Sequence, residues 1–150
     1  MTEVAIDELV PHRGTMSWLG RVLEAGEEHL VAEATIGADH LLLRDGQLSA
    51  AAGIEYMAQA VAAWAGSCRR AAGGAPKIGF LLGTRRYTCS RACFRVGEVL
   101  RIRVEHRFQA DNGLGQFEAS IEIDGVEVAR ASLNVFGPEE PEAFLNGQGL

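Results

Sequence analysis

The sequence predicts an α+β protein in which a long antiparallel sheet wraps one central helix. The first observation behind this is a single long helical stretch, Ala50 to Ala72, with almost no charge in its first fifteen residues. The second is a succession of strand-like segments separated by tight turns that occupies the chain after Pro76. The third is the size of the helix's residues. Alanine and glycine dominate it, so a sheet can approach its backbone closely. An ordinary two-layer α+β arrangement, with the helix laid on a flat sheet, is the alternative that this order also permits.

The elements follow in order. Ile6, Leu9 and Val10 sit at helical spacing and predict a short helix that stops before Pro11. Leu19 to Leu23 and His29 to Ile36 read as strands around a Gly26 turn. Ser49 is placed to cap the long helix, Arg69 and Arg70 complement its C-terminal dipole, and Gly73-Gly74 end it. Strands are then predicted for Lys77 to Thr88, Glu98 to Gln109, Gln116 to Asp124 and Val126 to Phe136. Asp111-Asn112-Gly113 and Asp124-Gly125 supply the turns of the last two hairpins. Residues 137–150, with Pro138, Pro141 and three acidic residues, read as a loosely held C-terminal tail of a single domain spanning 1–150.

Composition excludes several classes of function. The chain has 150 residues, 47% of them hydrophobic, with a net charge of −6, which is ordinary for one globular domain. That charge argues against general nucleic-acid binding, which needs a basic surface to neutralise phosphates. Cys68, Cys89 and Cys93 are an odd number without C-x-x-C spacing, so neither a disulfide framework nor a zinc site is expected. No two of the four histidines have metal-ligand spacing, and no metal or cofactor is expected. The N-terminus carries Glu3, Asp7 and Glu8 instead of a basic, then apolar, leader. Glu55 and Gln59 interrupt the apolar helix, which is also short for a bilayer span. A cytoplasmic location follows as the expectation.

Glu55 and Gln59 are the only strong polar groups of that helix before Ser67, and they share one face. Buried polar groups need partners, and burial disfavours the charged form of a carboxyl, so a glutamic acid kept neutral here can serve as a general acid. Pairing with an arginine inside the core is the structural alternative. His40, in the segment leading to the helix, titrates near neutrality and can serve as a general base. His29 and His106 fall in predicted strands, and His12 follows a proline turn, which makes them weaker candidates.

The segments VPHRGTMSWLGRVLEA, ADHLLL with GIEYMAQA, and GFLLGTRRYTCSRACFRVGEVLRIRVE resemble the hot-dog-fold 3-hydroxyacyl-[acyl-carrier-protein] dehydratases, most closely the branch associated with aryl polyene biosynthesis. The resemblance runs from Pro11 to Phe136. It implies a dimeric hot-dog fold with His40 as the catalytic histidine and Glu55 as the helix carboxylate, the two meeting across the subunit interface. It also implies a supporting role for Gln59, a structural one for His12, and substrate contacts at Ala50 and Gly53. The sequence departs from the main dehydratases in carrying Leu41-Leu42 after the histidine, where they have Phe-Pro. Ser49-Ala50 stands where they have Pro-Gly, and the interval from His40 to Glu55 is one residue longer.

The implied reaction is loss of water from a 3-hydroxyacyl thioester to give the trans-2-enoyl thioester. His40 would take the proton beside the carbonyl, Glu55 would protonate the leaving hydroxyl, and the Ala50 N–H would hold the enolate. The substrate would arrive on the phosphopantetheine arm of an acidic acyl carrier protein. Arg85, Arg86, Arg91 and Arg95 form a local basic run that could receive it, or simply a solvated strand face. Ala58, Ala62 and Ala63 leave room for an acyl tunnel that Trp64 and Phe80 could bound. A hot-dog thioesterase, and a non-catalytic subunit stabilising a related hot-dog partner in a heterodimer, are the competing readings.

Overall fold

A computed structural model describes residues 18–71 and 80–136, with side chains described for 18–68 and 83–136. The expected helix at Ile6–Val10, the Gly73-Gly74 stop and the tail lie outside the described residues. Among the described residues, eight strands and one long helix follow in the order β1 (Arg21–Ala25), β2 (His29–Thr35), β3 (Gln47–Ser49), α1 (Gly53–Ala71), β4 (Phe80–Cys89), β5 (Cys93–Arg95), β6 (Val99–Gln109), β7 (Leu114–Ile123) and β8 (Val126–Phe136). A single 3-10 turn, Ala50–Ala52, joins β3 to α1.

Six strands form one sheet in the order β1-β2-β6-β7-β8-β4, every neighbouring pair antiparallel. Its inner face follows the period of two that a half-buried strand requires. Leu30, Ala32 and Ala34 on β2, Leu100, Ile102 and Val104 on β6, and Ala129, Ala131 and Leu133 on β8 are all buried, while Arg101 and Arg103 between them are exposed. The helix lies chiefly against β6, β2 and β7. Tyr56, Met57, Ala60 and Ala63 are fully covered, and the alanines keep the helix axis close to the sheet. The β7–β8 hairpin turns on Asp124 and Gly125, both at positive φ (53° and 79°), the type I′ geometry that an Asp-Gly pair favours.

A second, two-stranded sheet pairs β3 with β5 antiparallel. Leu48 and Phe94 face each other across it, both fully buried. The pairing continues one residue further, where the Ala50 N–H donates to the Ala92 carbonyl at 3.1 Å. Ser49 then caps the 3-10 turn, its hydroxyl accepting from the Ala51 N–H. These contacts fix where the helix begins.

Gly53 opens α1 because nothing larger fits. A β-carbon there would collide with the Tyr87 hydroxyl and stand 3.2 Å from the Ile121 side chain. That hydroxyl is held in place by donating to the Ala50 carbonyl at 2.5 Å. Gly53→Ala is therefore expected to lower the unfolding free energy by about 1–3 kcal/mol, the usual range for overpacking. Adding Tyr87→Phe should return part of that loss. Urea midpoints of the single and double variants measure the coupling; strictly additive losses would show that the hydroxyl is not the obstacle.

Candidate active site

Gln59 is the organising side chain of the site. Fully buried, it accepts from the Trp18 N–H at 2.9 Å through Oε1 and donates from Nε2 to Oε2 of Glu55 at 2.9 Å. Because Oε1 is committed to a backbone N–H, the amide can present only its N–H₂ to the carboxyl. Glu55, one helical turn earlier, is half-buried. Helical spacing thus supplies the pair, and the segment before β1 supplies the acceptor's partner.

Trp18 connects this pair to the histidine. Its ring lies 4.4 Å from the ring of His40 and 5.1 Å from that of Tyr56, with His40 and Tyr56 6.2 Å apart, centroid to centroid. His40 ends a turn whose N–H reaches the Gly37 carbonyl, and its own carbonyl accepts from Leu43. Its Nδ1 accepts from the Leu42 N–H at 3.1 Å, while Nε2 is shielded from solvent and finds no hydrogen-bond partner among the described residues. Burial pushes the His40 imidazole below its ordinary value, with Asp39 opposing the shift, and pushes the Tyr56 phenol up to about 12. Leu41 and Leu42, directly after the histidine, are exposed.

The other sequence-derived candidates divide. Arg85, Arg86 and Arg95 are exposed, and Arg86 sits at positive φ (57°) within an irregularity of the β4–β8 pairing. Arg91 makes a bidentate pair with Glu98 at 2.6 and 2.7 Å, and Glu98 also accepts from the Arg95 N–H. Those contacts hold the Glu98 carboxyl below the usual carboxylate range and tie up the Arg91 charge. Ala58 and Ala62 are half-buried, whereas Ala63 is enclosed in the core. Trp64 packs on His106 and Phe117 and donates to the Glu27 carbonyl. The Ala50 N–H, expected at an enolate, is paired with Ala92 and would have to leave that partner to serve one. His12 and the side chain of Phe80 lie outside the described residues. Sequence reasoning missed Trp18 and Tyr56; their signal was a tryptophan and a tyrosine within the very segments that carry the PHR and E-x-M-A-Q elements.

The family described as ApeP-like, ApeP dehydratase, matches residues 4–146. The chain belongs to the ApeP-like dehydratase family. Among solved structures it is similar to the dehydratase heterocomplex ApeI:P from Xenorhabdus doucetiae, with 30% identity over 95% of this chain and 97% of that one, at a TM-score of 0.87. More distant likenesses show the hot-dog fold alone. They include Cj0977, a sigma28-regulated virulence protein from Campylobacter jejuni (15% identity, 90% and 88% coverage, TM-score 0.65). A hypothetical thioesterase from Streptococcus pneumoniae solved with coenzyme A is another (15% identity, 77% and 86% coverage, TM-score 0.61). No curated protein sequence matches significantly. Among the described residues of this ApeP-like chain, no helix is long and apolar enough to cross a membrane.

Two outcomes are expected of this geometry. Gln59→Leu preserves volume but strands a buried N–H and an acidic side chain, so it should lower stability by about 1–3 kcal/mol, read by denaturant titration. For His40 the sign follows from its lowered value. The folded state favours the neutral ring, so its contribution is complete above 6.5, the ordinary value, and is lost as pH falls through the lowered one. Wild type should therefore lose more thermal stability than His40→Gln between neutral pH and pH 5, measured as Tm.

Proposed function

We infer that the chain dehydrates a 3-hydroxyacyl thioester carried on acyl carrier protein to the trans-2-enoyl thioester, in biosynthesis of the aryl polyene type. The observation that carries this reading is the joined constellation of Glu55, Gln59, Trp18 and His40 at one end of the central helix, in a chain of a dehydratase family. A β-hydroxyacyl thioester has an acidic proton on the carbon beside its carbonyl and a poor leaving group on the next carbon. Elimination needs one group to handle the proton, one to assist the hydroxyl and a donor for the enolate oxygen. His40 and Glu55 are the titratable side chains of the constellation. In the dimer implied by the resemblance, the histidine of one subunit faces the carboxyl of the other. The half-buried stripe containing Ala58 and Ala62 is where an acyl chain could lie along the helix.

The likeness to a heterocomplex favours a related hot-dog subunit as partner, with a homodimer as the other arrangement. The exposed Arg85, Arg86 and Arg95 suit the acidic carrier protein, whereas Arg91, neutralised by Glu98, serves the fold.

The test is to incubate the chain, alone and with a co-expressed hot-dog partner, with a carrier-bound 3-hydroxyacyl substrate and follow the acyl mass. Loss of water supports the dehydratase. Release of free acid would mean a thioesterase, and no change in either form would mean a non-catalytic subunit. Glu55→Gln and His40→Ala should each lower kcat at least about 100-fold while the proteins stay folded by circular dichroism. Reversing Arg85 and Arg86 to glutamate should raise KM for the carrier-bound substrate and leave KM for a short pantetheine thioester unchanged.

A further inference from the structure

His40 stands on a loop that gives its ring no apolar cover. Ala38, Asp39, Leu41 and Leu42, the two residues on either side of it, are all exposed. The loop fixes the backbone through the Gly37 and Leu43 contacts and holds Nδ1 against the Leu42 N–H. A side chain on a surface loop ordinarily moves among several rotamers in water. The His40 ring is nevertheless half-buried, with Nε2 shielded from solvent. Its cover comes from distant parts of the chain.

Two aromatic rings supply that cover. The Trp18 indole is the nearer, 4.4 Å from the imidazole and tilted by 57°, and the Tyr56 ring stands 6.2 Å away. Trp18 and Tyr56 also pack on each other at 5.1 Å. Neither is free to follow the loop. Tyr56 is only 1% exposed on α1. Trp18 is tied through its N–H to the buried Gln59 amide, and two residues later the Gly20 N–H donates to the Glu33 carbonyl of β2 at 2.8 Å. The indole is therefore a fixed wall, and the imidazole is the mobile group that packs against it. A ring restrained in this way has lost rotamer freedom before substrate arrives, and that restraint lowers the entropic part of a barrier.

We propose that Trp18 is a positioning residue for His40: its indole holds the imidazole in one orientation and screens it from water. This rests on the dehydratase reading, in which His40 works on the thioester. The bond from Trp18 to Gln59 uses a backbone N–H, so substitution separates the ring's contribution from it. The wall acts on charge as well as on orientation. Burial holds the imidazole below its ordinary value, so the ring stays neutral and able to handle a proton near pH 7. Among the described residues, the titratable groups beside it are Asp39 on its own loop and Tyr56 on α1. Asp39 opposes the shift, and the Tyr56 phenol, pushed up to about 12, carries no charge. An indole brings no charge either, so its effect on His40 is one of packing and exclusion of water.

Trp18→Leu removes the aromatic wall, Trp18→Phe keeps a ring in its place, and both retain the N–H that reaches Gln59. The His40 ring protons, assigned by their absence in His40→Gln, are titrated by NMR. Their midpoint should rise toward 6.5 in Trp18→Leu and stay near that of wild type in Trp18→Phe. In the dehydration assay, alone and with a co-expressed hot-dog partner, Trp18→Leu should lose about tenfold or more in kcat with KM nearly unchanged. The acid limb of its pH–rate profile should rise with the titration, which a mere loss of folded protein would not cause. Trp18→Phe should recover kcat to within about threefold of wild type. A Trp18→Leu protein with the titration and kcat of wild type overturns the proposal, as does a Trp18→Phe protein no better than Trp18→Leu. Should Trp18→Leu fail to fold, nuclear Overhauser contacts between the indole and imidazole protons of wild type decide, and their absence overturns the proposal. If wild type dehydrates nothing in either form, the dehydratase reading falls and the catalytic role of Trp18 falls with it. The titration needs no activity, and so tells that failure from a failure of the indole to hold His40.

Discussion

Everything at the candidate site depends on one buried amide. Gln59 sits in a helix otherwise built from small apolar residues, where a polar group survives only if both its ends are satisfied. Its oxygen takes a backbone N–H from the segment before β1 and its nitrogen holds the Glu55 carboxyl. The bond to Trp18 does more than satisfy the amide. It brings the indole against His40 and Tyr56, so the helix, the segment before the first strand and the histidine loop share one set of contacts. Take away the amide and three separately folded pieces of chain lose their common reference point.

Hydrogen-bond polarity then governs chemistry. Gln59 can turn only a donor toward Glu55, because its acceptor is occupied by a backbone N–H. That constraint involves no charge. One ordinary peptide group, at Trp18, sets how the amide meets the carboxyl, and another, at Leu42, occupies Nδ1 of His40. The Trp18, His40 and Tyr56 rings lie tilted against one another beside them.

Much of the frame was legible in the sequence, for reasons that differ by element. The helix was readable from composition, since a long run of alanine and glycine with an N-capping serine has few other uses. The Asp124-Gly125 hairpin was readable from turn chemistry. The β3–β5 sheet was not, because strands of three residues give no periodicity. Missing it also hid why the Ala50 N–H is paired, since that bond extends the small sheet. Glu55, His40 and Gln59 stood out as polar residues in apolar surroundings, whereas Trp18 and Tyr56 carried no such contrast and were passed over. Only the fold brings them to the histidine. The four arginines looked alike in sequence, and a single carboxylate, Glu98, set Arg91 apart.

The small β3–β5 sheet also bears on where this chain could accept an extra residue. Arg44 and Gln47 exchange backbone hydrogen bonds around Asp45 and Gly46, both at positive φ, which makes a closed two-residue turn between the histidine loop and β3. Beyond that turn, the start of the helix is clamped to β5. A residue added between His40 and the turn is therefore taken up by the exposed loop at Leu41 and Leu42 and does not rotate the helix. An extra residue between Gln47 and the helix would turn Glu55 and Gln59 together through about 100° about the helix axis, carrying Gln59 away from the Trp18 N–H. The chain thus has one stretch where insertions are absorbed and, a few positions later, one where each would be felt at the carboxyl.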